Sequence, residues 1–362
     1  MLIFCILPLL LKFCGVKVKF TKLGNSDLNV SKICMGTMTF GQQNTEQQAH
    51  QMLDYAISRG VNFIDTAEMY PVPPRAETVH STEKFVGSWL SSQQRDNLVI
   101  ATKATGGGRG MEWVRGGRHA FNETNLREAL DGSLKRLQTD YVDLYQLHWP
   151  ERNTPMFGKY IYEPDQEREF TPIHETLEAL SKLVKEGKVR YIGLSNEWPW
   201  GLMQFLNMAD QHDLPRVVTM QNAYNLINRT YETAMLEICH RENVSLLPYS
   251  PLAFGHLSGK YINDKNAAGR VNDFPGFAQR YEKPNLIPAV SAYAKLAQIH
   301  GLTPAQLALA FVYSRWFAAS TIIGATSMAQ LQEDIDAFDV SWNDDLENAI
   351  AELHLTYFNP AP

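Results

Sequence analysis

The chain has 362 residues, 44% hydrophobic, 20% charged and 11% aromatic, the proportions of a soluble globular protein and not of a disordered, collagen-like or low-complexity one. Thirty-three basic against thirty-nine acidic residues leave a net charge of −6 with no long run of either sign, so no electrostatic footprint for nucleic acid is present. Cys5, Cys14, Cys34 and Cys239 form neither a CxxC pair nor a disulfide framework, which fits a reducing compartment.

Residues 1–17 read as an apolar leader or extension outside the fold. Its run MLIFCILPLLL is interrupted by Pro8 and falls far short of the roughly 20 residues a membrane helix needs. It also lacks the positive start of a signal peptide, so a cytoplasmic protein is expected, with targeting by this segment left open. Residues 18–362 are expected to form one domain. At its start, Gly24-Asn25 between two short apolar runs predicts a β-hairpin suited to plugging a barrel floor.

Short β-branched or apolar runs then alternate with amphipathic stretches. Strands are predicted at Ile33–Met38, Asn62–Thr66, Leu98–Lys103, Val142–His148, Val189–Ser195, Val217–Gln221, Val244–Tyr249 and Ser320–Ile323. Helices are predicted at Glu46–Arg59, Thr82–Ser91, Asn125–Leu137, Thr176–Glu186, Leu202–Gln211, Tyr231–Arg241, Pro288–Trp316 (split at Gly301-Leu302-Thr303), Met328–Ala337 and Asn343–His354. In the third of these, Leu126, Ala129, Leu130 and Leu134 mark one buried face, and Asn125 with Glu128 three residues on suggests the cap.

Eight strands, each followed by a helix, imply an α/β protein with parallel strands and crossovers, closing into a (β/α)8 TIM barrel with an N-terminal β-hairpin. GxGxxG after the first strand, the mark of a doubly wound sheet, is missing, and the glycine-rich Gly106–Gly110 reads as a mobile loop. Two long loops, Trp149–His174 and Ser250–Ile287, fall on the C-terminal face, where barrel active sites sit.

Four polar residues stand at or just past strand ends: Asp65, Tyr70, Lys103 and His148. A lysine after four apolar or small strand residues is poorly solvated unless paired, and Asp65 is the nearest counterion. A tyrosine beside that lysine should have its phenol acidified, which makes Tyr70 a proton donor, while His148 can orient a carbonyl oxygen. Each has a plainer reading alone: a turn-forming aspartate, a surface lysine, a structural histidine. Their joint placement on strands two, three and four favours catalysis. No two histidines stand four apart as a helical zinc pair would, and no metal is expected.

Several blocks follow in order: Gly36-Thr37-Met38-Thr39-Phe40-Gly41, Asn62 through Tyr70, Leu134 through Trp149, Gly187 through Asn196, and Tyr249-Ser250-Pro251-Leu252. In these blocks the chain resembles the aldo-keto reductases, from about Val18 to the C-terminus. Within that family it looks most like the bacterial Tas-like branch, with potassium-channel β-subunits as more distant relatives. The resemblance implies that Asp65, Tyr70, Lys103 and His148 are a catalytic tetrad and that the cofactor is NADP(H) rather than NAD(H). Family residues matching Ser195, Asn196 and Gln221 hold the nicotinamide carboxamide, and the aromatic at Tyr249 stacks on its ring. Gly36, Thr37, Met38, Ser250, Pro251 and Leu252 fall in cofactor-lining blocks. Lys260 and Arg270 match phosphate contacts, and Gly324, Thr326, Gln330, Glu333 and Asp334 surround the adenosine.

There are departures from the family pattern. Ile323–Ser327 supplies no cation for a 2′-phosphate, Gln330 stands where some members carry arginine, and Asp334 replaces a common asparagine, adding negative charge near the adenosine. Pro71 follows Tyr70 where glycine is often found, which should reshape the substrate rim. Met69, Trp113, Trp149, Trp198 and Tyr224 are candidate walls of the substrate pocket. The implied function is NADPH-dependent reduction of aldehydes or ketones, with a small carbonyl compound as partner, neither nucleic acid nor membrane, and a monomer or weak homo-oligomer. Two alternatives are an NADP(H)-binding sensor with little turnover and, more weakly, a Schiff-base isomerase using Lys103.

Overall fold

The computed structural model describes residues 18–276 and 278–362, so the expected leader lies outside the described residues. Two short strands, β1 (Phe20–Lys22) and β2 (Asn29–Ser31), pair antiparallel. Between them Gly24 has φ +46°, and a Cβ there would lie 2.5 Å from the Val218 carbonyl oxygen, so both conformation and space demand glycine. The Gly24 N–H donates to Ser245 Oγ at 2.8 Å. Leu23, Leu28 and Val30 are buried in one cluster with Cys34, Phe63, Val99 and Leu144, inside the lower barrel. The hairpin plugs the floor.

Eight strands make the barrel: β3 (Ile33–Gly36), β4 (Phe63–Asp65), β5 (Val99–Ala104), β6 (Val142–Leu147), β7 (Val189–Ser195), β8 (Val217–Ala223), β9 (Ser245–Tyr249) and β10 (Thr321–Ile323). Neighbours are parallel and consecutive, and β10 returns to pair with β3. The seam between β9 and β10 is closed by a parallel bridge, Leu246 to Ala318, with Ala319 N–H donating to Leu246 O at 3.0 Å. This is the predicted (β/α)8 barrel.

The outer helices are α1 (Glu46–Ser58), α2 (Ser81–Leu90), α3 (Glu123–Leu137), α4 (Ile173–Lys185), α5 (Pro199–Gln211) and α6 (Thr230–Arg241). Two short turns, α7 (Lys260–Asn263) and α8 (Arg270–Asp273), lie within the long loop after β9, followed by α9 (Leu286–Ile299), α10 (Pro304–Ser314), α11 (Met328–Asp336) and α12 (Asp344–Thr356). The break between α9 and α10 falls where expected, at Gly301 with φ +68° and at Thr303, whose capping box with Gln306 starts α10. The start of α3 corrects the sequence reading. Asn122, not Asn125, is the cap, accepting from Asn125 N at 3.0 Å, and Glu128 pairs with Arg118 instead of closing a box. The first turn before Leu126 is too polar for hydrophobic periodicity to reveal it. No helix among the described residues is long and apolar enough to cross a membrane.

Candidate active site

Alternation along the strands decides what enters the barrel. In β4, Phe63 faces the interior cluster, so Asp65 does too; in β5, Val99 and Ala101 put Lys103 on the same side. In β6, Leu144 faces inward, and Gln146 and then His148 continue that face. In these three strands the floor residues are apolar and the mouth residues polar.

Lys103 is fully buried and uses all three ammonium hydrogens: Asp65 Oδ2 at 2.5 Å, the Thr66 carbonyl at 2.8 Å and Tyr70 Oη at 3.4 Å. Asp65 Oδ1 accepts from Gln221 Nε2 at 2.9 Å and Gln146 Nε2 at 3.2 Å. Burial pulls the lysine pKa down, but Asp65 and Tyr70 outweigh it, and the ammonium is held above its ordinary value. Tyr70 corrects the expectation of an acidified phenol. Burial raises its pKa more than Lys103 lowers it, and the Asp65 charge adds to the rise. The phenol therefore keeps its proton at neutral pH.

The His148 ring meets Tyr70 edge-on, with centroids 5.5 Å apart at 74°. Burial, then the Lys103 and Arg109 charges, push its pKa well below the ordinary histidine value, so the ring is neutral, and Nδ1 is buried without a partner among the described residues. The structure thus brings all four sequence-predicted residues together. Gln146 was not foreseen, although counting back two residues from His148 along the strand finds it.

Ser195, Asn196, Gln221 and Tyr249 converge beside this group. Ser195 Oγ donates to the Gln221 carbonyl at 3.0 Å, Asn196 Nδ2 to the His148 carbonyl at 2.9 Å, and Tyr249 Oη to Asn196 Oδ1 at 2.6 Å. Gly36 and Thr37 lie along Asp65: Thr37 Oγ1 donates to its carbonyl at 2.9 Å, and a Cβ on Gly36 would meet the Ile323 carbonyl at 2.7 Å. Met38 packs on the buried cluster of Met69, Tyr70 and Trp149. Both Tyr70–Pro71 and Val72–Pro73 peptides are cis.

The loop after β9 carries Ser250, whose carbonyl accepts from Asn225 Nδ2 at 2.9 Å, then buried Pro251, and Leu252, whose carbonyl accepts from Gly255 N at 2.8 Å. Farther on, Lys260 Nζ donates to the Ala268 carbonyl at 3.0 Å, and Arg270 lies 4.9 Å over the Phe254 ring. Neither cation has a carboxylate ion pair among the described residues. Arg270 Nε and both His256 ring nitrogens are buried without partners among the described residues, and burial and Lys260 push His256 down to about 4. Buried donors without partners and cations without an ion pair among the described residues fit a group that brings its own negative charge, as a dinucleotide diphosphate does.

Gly324 stands beside the Gly36 carbonyl, 3.9 Å from where its Cβ would be. Thr326 N and Oγ1 both donate to Gln330 Oε1, and Glu333 accepts from Thr303 Oγ1 at 2.7 Å. Asp334 is buried, and burial with the Glu333 charge raises its pKa well above the usual carboxylate range, so it contributes less negative charge than the sequence alone suggested.

The five suggested pocket residues divide. Met69 and Trp149 are buried beside Tyr70, Trp198 donates from Nε1 to the Pro155 carbonyl at 2.7 Å on the rim, and Trp113 is 39% exposed. Tyr224 does not face the mouth. It is fully buried in the helix layer, stacked 5.7 Å from Phe311 and hydrogen-bonded to Glu232, so its ring has turned away from the barrel axis. The Gly106–Gly110 loop is pinned to the site, since Trp149 Nε1 donates to the Gly107 carbonyl at 2.9 Å and a Cβ on Gly106 would strike Trp149 at 2.7 Å.

Residues 32–354 match the model of the aldo/keto reductase family. The chain is 46% identical over 346 residues to protein tas of Escherichia coli (strain K12), covering 95% of this chain and 100% of that protein. It is 36% identical over 278 residues to an aldo-keto reductase of Babesia bovis, covering 73% of this chain and 98% of that one. It is 30% identical over 328 residues to a probable voltage-gated potassium channel subunit beta of Arabidopsis thaliana, covering 89% and 92%.

Proposed function

The chain belongs to the aldo/keto reductase family, and we propose that this oxidoreductase reduces aldehydes or ketones to alcohols with NADPH, Tyr70 acting as the general acid. The observation that carries this reading is the buried contact between Lys103 Nζ and Tyr70 Oη at 3.4 Å, with the lysine charge balanced by Asp65. NADPH, when bound, supplies the hydride. Tyr70 holds a proton at neutral pH and gives it to the developing alkoxide. Lys103 stabilises the phenolate left behind, a charge that arises only as the reaction proceeds. Asp65 keeps the lysine charged and fixed. Neutral His148 has one ring N–H to offer, which suits holding a carbonyl oxygen in line.

Lys260 and Arg270 are assigned to the cofactor phosphates, Ser195, Asn196 and Gln221 to the carboxamide, and Tyr249 to the ring face. The weakened Asp334 charge removes one objection to NADP(H) over NAD(H). Replacing Tyr70 by Phe should lower kcat for an activated benzaldehyde by a factor of about 10² to 10⁴, while NADPH titration by fluorescence stays near wild type. Retained turnover overturns the assignment. The similarity to a potassium channel β-subunit supports a second reading, an NADP(H) sensor. Tight NADPH binding with no oxidation across an aldehyde panel would favour it.

A further inference from the structure

Arginines over most of the barrel surface pair with carboxylates: Arg95 with Asp143, Arg136 with Glu83, Arg152 with Glu197, Arg315 with Glu347. Arg109 in the glycine-rich loop after β5 and Arg280 in the loop after β9 are among the mouth arginines that have no such ion pair among the described residues. Both guanidinium groups lie over one ring, Phe157, at 4.4 Å and 5.9 Å from its centroid. That ring leads inward. Phe157 meets Trp149 edge-on at 6.3 Å, and Trp149 packs on His148 at 4.7 Å. Arg109 also lies 5.5 Å over Trp149. Burial lowers the Arg109 pKa, and the Tyr249 phenol raises it. The Arg280 guanidinium likewise lies beside the phenols of Tyr249 and Tyr281.

Two cations that lie over one aromatic ring with no ion pair among the described residues repel each other. Each cation–π contact returns only about 0.5–2 kcal/mol, and a ligand anion between them would remove the repulsion. Of the cations assigned to phosphate, Lys260 lies over Tyr261 and Arg270 over Phe254, with Arg270 reaching Tyr281 beside Arg280. The pair over Phe157 is on the His148 side, where the carbonyl would sit.

We propose that Arg109 and Arg280 form an anion clamp at the rim, and that the natural carbonyl substrate carries an anionic group, a carboxylate or a phosphate, held over Phe157 while its carbonyl reaches Tyr70 and His148. This inference rests on the carbonyl-reductase reading above. The glycines around Arg109 let that backbone adjust to the anion, and an arginine fork suits either oxyanion.

The test compares kcat/KM with NADPH for 4-carboxybenzaldehyde, 4-formylphenyl phosphate and the neutral methyl 4-formylbenzoate. Wild type should favour at least one anionic aldehyde over the ester by about tenfold or more, and added salt should erode that preference. The arm with the larger preference identifies carboxylate or phosphate. Arg109→Met and Arg280→Met should each shrink the ratio of acid to ester, chiefly through KM, and Arg109→Lys should restore part of it. If wild type reduces the ester as well as both anions, the clamp is wrong although the carbonyl-reductase reading stands. If the variants keep the ratio and instead weaken NADPH binding, the pair serves the cofactor and the clamp is again overturned. A protein inert toward all three aldehydes overturns the underlying reading and the clamp together.

Discussion

The two ends of the barrel are closed by opposite chemistry. At the floor, the β1–β2 hairpin inserts Leu23, Leu28 and Val30 among apolar strand residues, and its turn is tied to Ser245. At the mouth, two long loops fold over a buried ion pair, and Arg270 Nε and both His256 ring nitrogens are buried without a partner among the described residues. The floor is satisfied by its own chain. The mouth has polar capacity left over, and in folded proteins such buried capacity is rare unless something else meets it. The floor therefore serves stability alone, while the mouth carries the chemistry.

The widest test of that division is Lys103→Met. It should abolish turnover and also destabilise the fold by about 3–5 kcal/mol, because Asp65 would be left charged and buried. Urea titration and NADPH oxidation read the two effects. Adding Asp65→Leu should recover part of the stability and none of the activity, which would separate pairing from catalysis. At the floor, Leu28→Ala should cost about 2–5 kcal/mol by opening a cavity, yet leave kcat/KM for a reactive aldehyde near wild type. A large fall in kcat/KM for the folded variant would break the division. Gly24→Ala should cost about 1–2 kcal/mol from the left-handed backbone alone, with further loss from the Val218 contact, again without altering turnover.

The smallest effect concerns acid. His256 titrates at about 4 in the folded protein against 6.5 ordinarily, so the unfolded or opened loop takes up the proton first. Stability of the mouth should then be full above about pH 6.5 and fall as pH drops toward 4. Limited proteolysis within Ser250–Ile287 should quicken over that interval while the floor hairpin stays protected, and His256→Phe should flatten the response. Neutral His148 should meanwhile add no acid limb to kcat/KM between pH 6 and 8.

Much of this was legible in the sequence because it is local. Val189–Ser195 is a strand for the same reason it looks like one, a β-branched and apolar run between a glycine turn and a polar loop. Asp65, Lys103 and His148 were findable because strand alternation carries an apolar floor residue to a polar mouth residue two or four positions on. What escaped depends on distant packing. Tyr224 follows a strand end, yet the space beside Phe311 decides where its ring goes. The Tyr70 pKa depends on burial by residues far along the chain, and one lysine in sequence gives no measure of that. Arg109 and Arg280 are separated by most of the barrel, and only the loop fold sets both over Phe157.

The first barrel strand finds its second neighbour in the last, since Ile33–Met35 pairs with Thr321–Ile323. During synthesis, then, the N-terminal strand must wait with one side open until nearly all of the polypeptide has left the ribosome. An open strand side is a template for wrong pairing with other chains. Truncations that stop before Thr321 should accordingly aggregate or require a chaperone, even though they retain Asp65, Tyr70, Lys103 and His148.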